Sequence, residues 1–510
     1  MFTDTPKYRD NHFQPLHSPL PTSASESPAD SVPLNLDGNP QLDRPLFVQF
    51  CANKPDEFLA AAKMVAPYCD AVDLNLGCPQ GIAKRGNYGA FLQEDWPTIE
   101  ALISTLHKEL SVPVTAKFRI QETREKTLDY ARMILDAGAS IITVHGRERH
   151  QKGHNTGLAD WDAIRHLREN LPKETVIFAN GNILQYGDVE ACLEATGADG
   201  IMSAEGNLYD PSIFAAGPPV GEEGREYYRD AEGKGGWRMD AVLRRYLNIL
   251  HEHVLKHSPP ERKPLYIPSD AELPTVSTTE DAEAGPPPKK KVKLATTPKP
   301  DFREYASSPN MTAVQAHLFH LLRPLVAKHT HIRDMLARTR SGDIDGLERI
   351  LSEVEAVVAV GIRDASTIST SETNGETNGH AALKPEEVEE DEDPTVSSAA
   401  AAARCRRPWF VCQPYVRPLP TEALRKGAMQ LSKKMRRKLE EEEQLKKQNE
   451  AGKGEEVKAN GSAKTDKVDS EAQGKVEQVK VGTGEVLDQN TDKGEDKDKV
   501  EVPREGLVCG

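Results

Sequence analysis

The stretch AVDLNLGCPQGIAKRG (Ala71–Gly86) decides the fold that we predict for this chain. It begins with apolar residues in alternation, as in a β-strand, and this pattern ends abruptly at Asn75. Gly77, Cys78 and Pro79 follow as a loop, and the sequence then turns basic. The single thiol of Cys78 in this loop has either a packing role or a chemical role.

The same arrangement of a short strand followed by a helix recurs on both sides of this stretch. The predicted strands are PLFVQF, AVDLNLG, VPVTAKFRI, SIITVHG, VIFANGN and ADGIMSAEG. The segments between them, such as DEFLAAAKMVAPYC and TLDYARMILDAG, have the apolar periodicity of helices. This alternation predicts βαβ units and a parallel sheet, and we expect its strands to be apolar on both faces.

One polar group stands at or just beyond the carboxyl end of each predicted strand. These residues are Gln49, Asn75 with Cys78, Lys117, His145, Asn180 and Glu205. A (β/α)8 barrel builds its active site on that face, whereas a doubly wound sheet binds ligands at a single switch point. The pattern favours the α/β class with a (β/α)8 TIM barrel. Six strands are evident where a closed barrel has eight, so we expect a barrel that is incomplete at its N-terminal end.

Composition divides the chain into regions of different character. In chain order we predict a loop remnant with a disordered insertion (1–43), the barrel (44–216), a small helical domain (237–257 with 311–363), a disordered insertion within it (258–310) and a disordered low-complexity tail (364–510) with a basic segment (404–447). The helical domain follows from apolar periodicity, and the disordered regions from their polar, proline-rich or charged composition.

The overall composition excludes several classes of protein. No apolar run reaches the roughly 18 residues that a membrane-spanning helix needs, so we expect no membrane contact. The seven cysteines lack a disulfide-like spacing, which favours a reducing compartment. Cys405 and Cys412 lack a second pair of ligands, so we expect no metal.

The run PPPKKKVKL (286–294) is typical of a nuclear-import signal and equally of a solvated lysine run. We expect a cytoplasmic or nuclear location, or both.

Five motifs in this order resemble those of the tRNA-dihydrouridine synthases: DLNLGCPQGIAKRG, AKFRI, VHGRERHQKG, ANGNI and MSAEG. The resemblance is dense from about Gln41 to Phe214 and is closest to the branch that acts on uridines 16 and 17 of the tRNA D-loop. It implies that bound FMN, reduced by NADPH or NADH, passes a hydride to C6 of a flipped-out uracil in tRNA. It also implies that a cysteine then protonates C5.

Cys78 occupies the position of that cysteine, so the resemblance implies that it is the catalytic proton donor. A thiol suits this task because its ordinary pKa of about 8.5 keeps it mostly protonated at neutral pH. The alternative is that Cys78 is a small buried hydrophobic residue, which is how we interpret Cys51, Cys69 and Cys192.

The resemblance further implies a set of residues around the flavin. Lys117 would meet the carbonyl edge of the ring and stabilise its reduced form, and Gln49 and His145 would also contact the ring. The loops after the last two strands would complete the cofactor site with Asn180, Gly181, Asn182, Ser203, Ala204, Glu205 and Gly206. The structural alternatives are a strand-end lysine, a loop-capping amide, a core histidine and two ordinary turns.

Basic loops on the same face as Cys78 predict contacts with tRNA phosphates. The substrate-binding residues that the resemblance implies are Asn75, Lys84, Arg85, Arg147 and Arg149. Arg404–Arg407, with Trp409 and Phe410, combine cations with aromatic surfaces and predict a further RNA contact. The alternatives are solvated charged loops and a disordered linker with incidental aromatic residues.

Two other functions are compatible with the sequence. A flavin reductase of free pyrimidines would explain the barrel and Lys117, but not the helical domain or the basic segments. A truncated, non-catalytic tRNA-binding protein would explain the missing strands, and the absence before Asp43 of the Ala-Pro-Met segment that packs on the flavin in this family. Under that second alternative, the presence of both Cys78 and Lys117 indicates a recent rather than an ancient loss of activity.

Overall fold

The structure is a computed structural model that describes residues 1–13, 38, 43–270, 308–372 and 397–419. The predicted import signal at 286–294 and most of the basic segment 404–447 lie outside these described residues. Within them, a parallel sheet with its helices is followed by a β-hairpin and a helical domain.

The sheet contains six parallel strands in chain order, each hydrogen-bonded to the next. They are β1 (Phe47–Phe50), β2 (Ala71–Leu76), β3 (Val114–Arg119), β4 (Ile141–His145), β5 (Val176–Asn180) and β6 (Gly200–Met202). The helices of this part are α1 (Pro6–His12), α2 (Pro55–Val65), α3 (Gly81–Gly86), α4 (Trp96–Glu109), α5 (Arg124–Asp136), α6 (Trp161–Asn170), α7 (Gly187–Thr196) and α8 (Glu205–Tyr209). A helix connects each pair of neighbouring strands, as parallel pairing requires.

The two faces of the sheet differ in polarity, so the expectation of strands that are apolar on both faces is wrong. One face packs against the helices, as Phe118 does against Tyr130 of α5 with ring centroids 5.3 Å apart. Alternate residues point to the opposite face, which we call the inner face. Its buried members are Asp73, Asn75, Thr115, Lys117, Arg119, Thr143, His145 and Asn180. Burying polar groups costs free energy unless they are paired, so this face serves more than packing.

The N-terminal residues form a helix rather than the loop remnant that we predict for residues 1–43. After α1, Phe13 is buried in the core of the sheet region. Phe2 meets Phe50 of β1 edge to face, with ring centroids 5.1 Å apart. Aromatic side chains each bury a large apolar area, and such contacts hold this short helix on the sheet.

The helical domain begins with a β-hairpin that the sequence patterns do not predict. In it, β7 (Tyr227–Arg229) pairs antiparallel with β8 (Gly235–Trp237). The helices that follow are α9 (Met239–Ile249), α10 (Pro309–Thr312), α11 (Val314–Leu321), α12 (Arg323–Lys328), α13 (Thr330–Arg338) and α14 (Ile344–Glu372). Their apolar faces form a second hydrophobic core. None of the helices in the described ranges is long and apolar enough to cross a membrane.

Residues 397–419, which we call the C-terminal strap, pack on the protein where we predict a low-complexity tail. The strap begins with α15 (Ser398–Cys405), and its Phe410 lies in the core of the helical domain. The carbonyl of Phe410 accepts a hydrogen bond from the N–H of Met239 at 2.9 Å. Trp409 packs against Phe410 and lies under the ammonium of Lys328. The predicted stacking of Phe410 on RNA is therefore wrong, because its ring is buried, whereas an RNA contact of the half-buried Trp409 stays a prediction.

The first part of the predicted insertion at 258–310 is also packed. Leu265 and Tyr266 are buried, and the carbonyl of Tyr266 accepts a hydrogen bond from Nη1 of Arg238 at 2.7 Å. Two apolar side chains in a polar, proline-containing segment give no periodic signal, so this packing depends on contacts with residues distant in the chain.

Candidate active site

Asn75 holds the loop that carries Cys78. Its Oδ1 accepts hydrogen bonds from the backbone N–H groups of Gly77 at 3.0 Å and Cys78 at 2.9 Å. Its Nδ2 donates to Oε1 of Gln49 on the neighbouring strand at 2.8 Å. Asparagine suits this place because its short side chain readily bonds the backbone a few residues ahead. The substrate contact of Asn75 stays a prediction, and the structure adds a positioning role.

Cys78 is buried, with 3% of its surface exposed, and its backbone is held on both sides. Its carbonyl accepts a hydrogen bond from the N–H of Ala90 at 3.1 Å, opposite the bond that its own N–H donates. Gly89 lies so close that a Cβ there would come within 2.9 Å of this carbonyl oxygen, and its φ of +63° favours glycine. The thiol is therefore fixed beyond the carboxyl end of β2.

Arg119, at the end of β3, joins the loop after β2 to the loop after β4. Its Nε donates to the carbonyl of Gly77 at 2.8 Å, and its Nη1 donates to the carbonyls of Glu148 and Gln151 at 3.1 and 3.2 Å. Burial lowers the pKa of Arg119 to about 10, so it remains a cation at neutral pH. Arg119 is not among the predicted site residues, although its spacing of two from Lys117 places both on one strand face.

Asp73 is a buried carboxylate on the inner face, two residues before Asn75. It accepts hydrogen bonds from Nε2 of Gln49 and from Oγ1 of Thr115, both at 2.6 Å. Burial raises the pKa of Asp73, and these hydrogen bonds together with the cation of Lys117 oppose that rise. Both ends of the Gln49 amide are thus bonded within the protein, which fixes the orientation of a predicted flavin contact.

Lys117 lies at the middle of the inner face and is 9% exposed. The strand register places it beside Asn75 of β2 and Thr143 of β4. A buried ammonium is costly unless negative charge or acceptors lie nearby, and Asp73 supplies such a charge. A cation at this position suits the predicted contact with the carbonyl edge of a flavin.

His145 ends β4 with one ring nitrogen bonded and the other unpaired. Nη1 of Arg147 lies 3.1 Å from Nε2 of His145 and donates to it, which leaves the ring proton on Nδ1. Burial, with the nearby cations Lys117, Arg119 and Arg147, holds the pKa of His145 well below its ordinary value. The imidazole is therefore neutral at physiological pH, and its buried Nδ1–H has no partner.

Asn180 is the neighbour of His145 in the sheet and also carries an unpaired polar atom. Its Nδ2 donates to the carbonyl of Met202 at 2.8 Å, whereas its buried Oδ1 has no partner. Buried polar atoms are rarely left unpaired unless they serve a site. A donor on His145 and an acceptor on Asn180, side by side on the inner face, fit the polar edge of a planar ring.

Arg147 and Arg149, which we predict to bind the substrate, both form bonds within the protein. Nη2 of Arg147 donates to Oδ1 of Asn182 at 2.7 Å and to the carbonyl of Gly157 at 2.9 Å. Arg149 pairs with Glu94 at 2.8 Å. The phosphate contact of Arg147 stays a prediction, and the structure adds that its guanidinium contacts Nε2 of His145 at 3.1 Å.

Lys84 and Arg85, by contrast, are exposed on α3, directly after the Cys78 loop. Their contacts with tRNA stay a prediction. In the parts of the chain that the structure describes, no group of three or more His, Cys, Asp or Glu residues could hold a metal ion.

The loops after β5 and β6 lie against each other at the other end of the inner face. Oγ of Ser203 donates to the carbonyl of Ile183 at 3.1 Å. A Cβ on Gly206 would come within 2.3 Å of that same carbonyl oxygen, so Gly206 is needed for the packing of these loops whether or not a ligand is bound. The carboxylate of Glu205 accepts hydrogen bonds from Arg417 of the strap.

Replacing Asn75 with alanine should loosen the Cys78 loop, because two backbone N–H groups lose their acceptor. We expect alkylation of Cys78 by iodoacetamide, followed by site-resolved mass spectrometry, to become about tenfold faster, as the loss of one to two hydrogen bonds implies. Asn53→Ala is the matched control, since Asn53 bonds the carbonyl of Gly86 at the far end of the same segment. Equal alkylation rates in wild type and Asn75→Ala would contradict the positioning role.

Comparison with known proteins identifies the family of this chain. The family described as dihydrouridine synthase matches residues 26–254. A tRNA-dihydrouridine(16/17) synthase from Schizosaccharomyces pombe, whose name specifies NAD(P)(+), is 42% identical over 377 residues, or 74% of this chain and 74% of the relative. The chain belongs to the dihydrouridine synthase family. The predicted (β/α)8 barrel is thereby confirmed, with six of its strands among the described residues.

Two further comparisons give a close sequence relative and a distant structural likeness. The dihydrouridine synthase of the same name from Saccharomyces cerevisiae is 42% identical over 350 residues, which cover 67% of this chain and 68% of that relative. A solved structure of DHODH from Eimeria tenella is similar over 35% of this chain and 58% of that one, with 19% identity and a TM-score of 0.28. The second likeness is too partial to support a conclusion.

Proposed function

We propose that this chain reduces uridines 16 and 17 of the tRNA D-loop to dihydrouridine, with NADPH or NADH as reductant and FMN as cofactor. The observation that carries the proposal is Cys78, held beyond the end of β2 at the edge of a polar inner face, in a dihydrouridine synthase. The names of both fungal relatives specify these tRNA positions and NAD(P)(+), which supports the choice of substrate and reductant.

The residues of the inner face fit an FMN molecule. His145 and Asn180 offer an unpaired donor and acceptor to a ring edge, and Lys117 adds a positive charge. The loops after β5 and β6 occupy the place where barrels of this type often bind phosphate. FMN, when bound, supplies the hydride that adds to C6 of the uracil.

Cys78 then supplies the second hydrogen, a proton that its thiol donates to C5. The resulting thiolate is within electrostatic reach of the Arg119 guanidinium, which stabilises the negative charge until a proton returns from solvent. Asn75 and Arg119 together fix the loop that positions the sulfur. The uridine must leave its stack to reach a buried thiol, and Lys84 and Arg85 bind phosphates as it does so.

Incubation of the full chain with FMN, NADPH and tRNA that lacks dihydrouridine tests the proposal. We expect mass spectrometry of the digested tRNA to find dihydrouridine at positions 16 and 17, and none when cytidine replaces these uridines. Turnover of free orotate or uracil without a product in tRNA would instead support a reductase of free pyrimidines. Binding of tRNA without any product would support the non-catalytic alternative.

A further inference from the structure

The C-terminal strap (397–419) ends beside the loops that we assign to the flavin phosphate. Nη2 and Nε of Arg417 donate to Oε1 of Glu205 at 2.7 and 3.1 Å. Two residues further on, Leu419 approaches the loop after β4, since a Cβ on Gly157 would lie 3.8 Å from its Cδ2. The strap therefore reaches the loops after both β4 and β6.

Contacts elsewhere along the strap hold its end in this place. Nη1 of Arg404 donates to Oδ1 of Asp188, whose side chain is buried beneath it, at 2.7 Å. The N–H of Leu419 donates to Oγ of Ser398 at 2.8 Å and ties the end of the strap to its beginning. The position of Arg417 is thus set by anchors that do not involve Glu205.

Arg417 changes the charge of the site. The buried guanidinium of Arg147 is within electrostatic reach of both Glu205 and Arg417, so the three groups form one cluster. Two cations and one carboxylate give this cluster a net positive charge, whereas without Arg417 it would be neutral. Without Arg417, the carboxylate of Glu205 would face the phosphate unpaired and would repel it.

We propose that Arg417 is a binding residue for the flavin phosphate, delivered to the barrel by the C-terminal strap. The inference rests on the proposed function and adds to it a residue from outside the barrel. Arginine binds phosphate oxygens through charge-assisted hydrogen bonds, and Glu205 orients its guanidinium before the ligand arrives. Exposed ion pairs contribute little to folding, so stability alone gives no reason for the pair.

Binding of FMN and of riboflavin, which lacks the phosphate, separates this role from a structural one. Each flavin is titrated with full-length apoprotein, and quenching of flavin fluorescence gives its affinity. We expect Arg417→Ala to weaken FMN binding by about tenfold to a hundredfold, the worth of one charge-assisted hydrogen bond, and to leave riboflavin binding unchanged. Arg417→Lys should recover part of the loss.

Arg333→Ala is the control, because it also removes an arginine from an exposed ion pair, here with Asp334 on the helical domain rather than at the phosphate loops. It should leave the ratio of FMN to riboflavin affinity unchanged. The proposal is overturned if Arg417→Ala weakens both flavins equally, as a purely structural strap would, or weakens neither. A wild-type chain that binds neither flavin would refute the proposed function itself, and this inference with it.

Discussion

Replacing Cys78 with alanine should greatly slow dihydrouridine formation while NADPH still reduces the flavin. We expect the rate of product formation to fall by about 10²–10⁴, the usual contribution of a positioned acid, because C5 must then take its proton from water. The loop should keep its place, since the hydrogen bonds of the backbone N–H and carbonyl at position 78 remain in the variant. Single-turnover assays with unmodified tRNA measure the product, and anaerobic absorbance measures flavin reduction.

Cys51→Ala is the control, since Cys51 follows β1 as Cys78 follows β2. Cys51 is exposed, so its interpretation as a small buried hydrophobic residue is wrong. We expect wild-type rates from this variant. Wild-type rates from Cys78→Ala would refute its assignment as the proton donor.

Replacing Arg238 with methionine should produce the largest loss of stability. Arg238 and Asp240 form an ion pair with side chains 2% and 0% exposed, and Nη1 of Arg238 also donates to the carbonyls of Arg225 and Tyr266. The variant leaves the Asp240 carboxylate buried without its partner, which costs about 3–5 kcal/mol. We expect the Tm of the helical domain to fall by roughly 10 °C, as measured by calorimetry.

Arg333→Met is the control for this loss, because its ion pair with Asp334 is about half exposed and should contribute almost nothing. The double variant Arg238→Met, Asp240→Leu should regain part of the lost stability, since no buried charge remains. Similar Tm values for Arg238→Met and Arg333→Met would contradict the account of the buried pair.

The strand order could be predicted from the sequence because short β-branched runs alternate with amphipathic helices along the chain. The polarity of the inner face could not, since Asp73 and Thr115 stand in runs whose average character is apolar. Cys78, Lys117 and His145 could be proposed from their places at or near strand ends. The direction of the Arg147 side chain could not, because it depends on acceptors in loops 10 and 35 residues further along.

The C-terminal strap illustrates the same limit at longer range. Its sequence RCRRPWFVCQPYVRP has no helical or strand period, and composition alone predicts a disordered segment. Its order comes from contacts such as Arg404 with Asp188 and Arg417 with Glu205, more than 200 residues apart in the chain. The local sequence pattern contains no information about such distant partners. The packing of the strap and the position of Arg417 could therefore be found only from the structure.

The measurement that tests the central claim most directly is the oxidation of the reduced enzyme by tRNA. The full chain, with its bound flavin, is reduced anaerobically with one equivalent of NADPH and then mixed with tRNA lacking dihydrouridine. We predict that the absorbance of oxidised flavin returns in step with dihydrouridine formation, and that tRNA already carrying dihydrouridine at positions 16 and 17 has no effect. A reduced flavin that persists in the presence of unmodified tRNA would contradict the account.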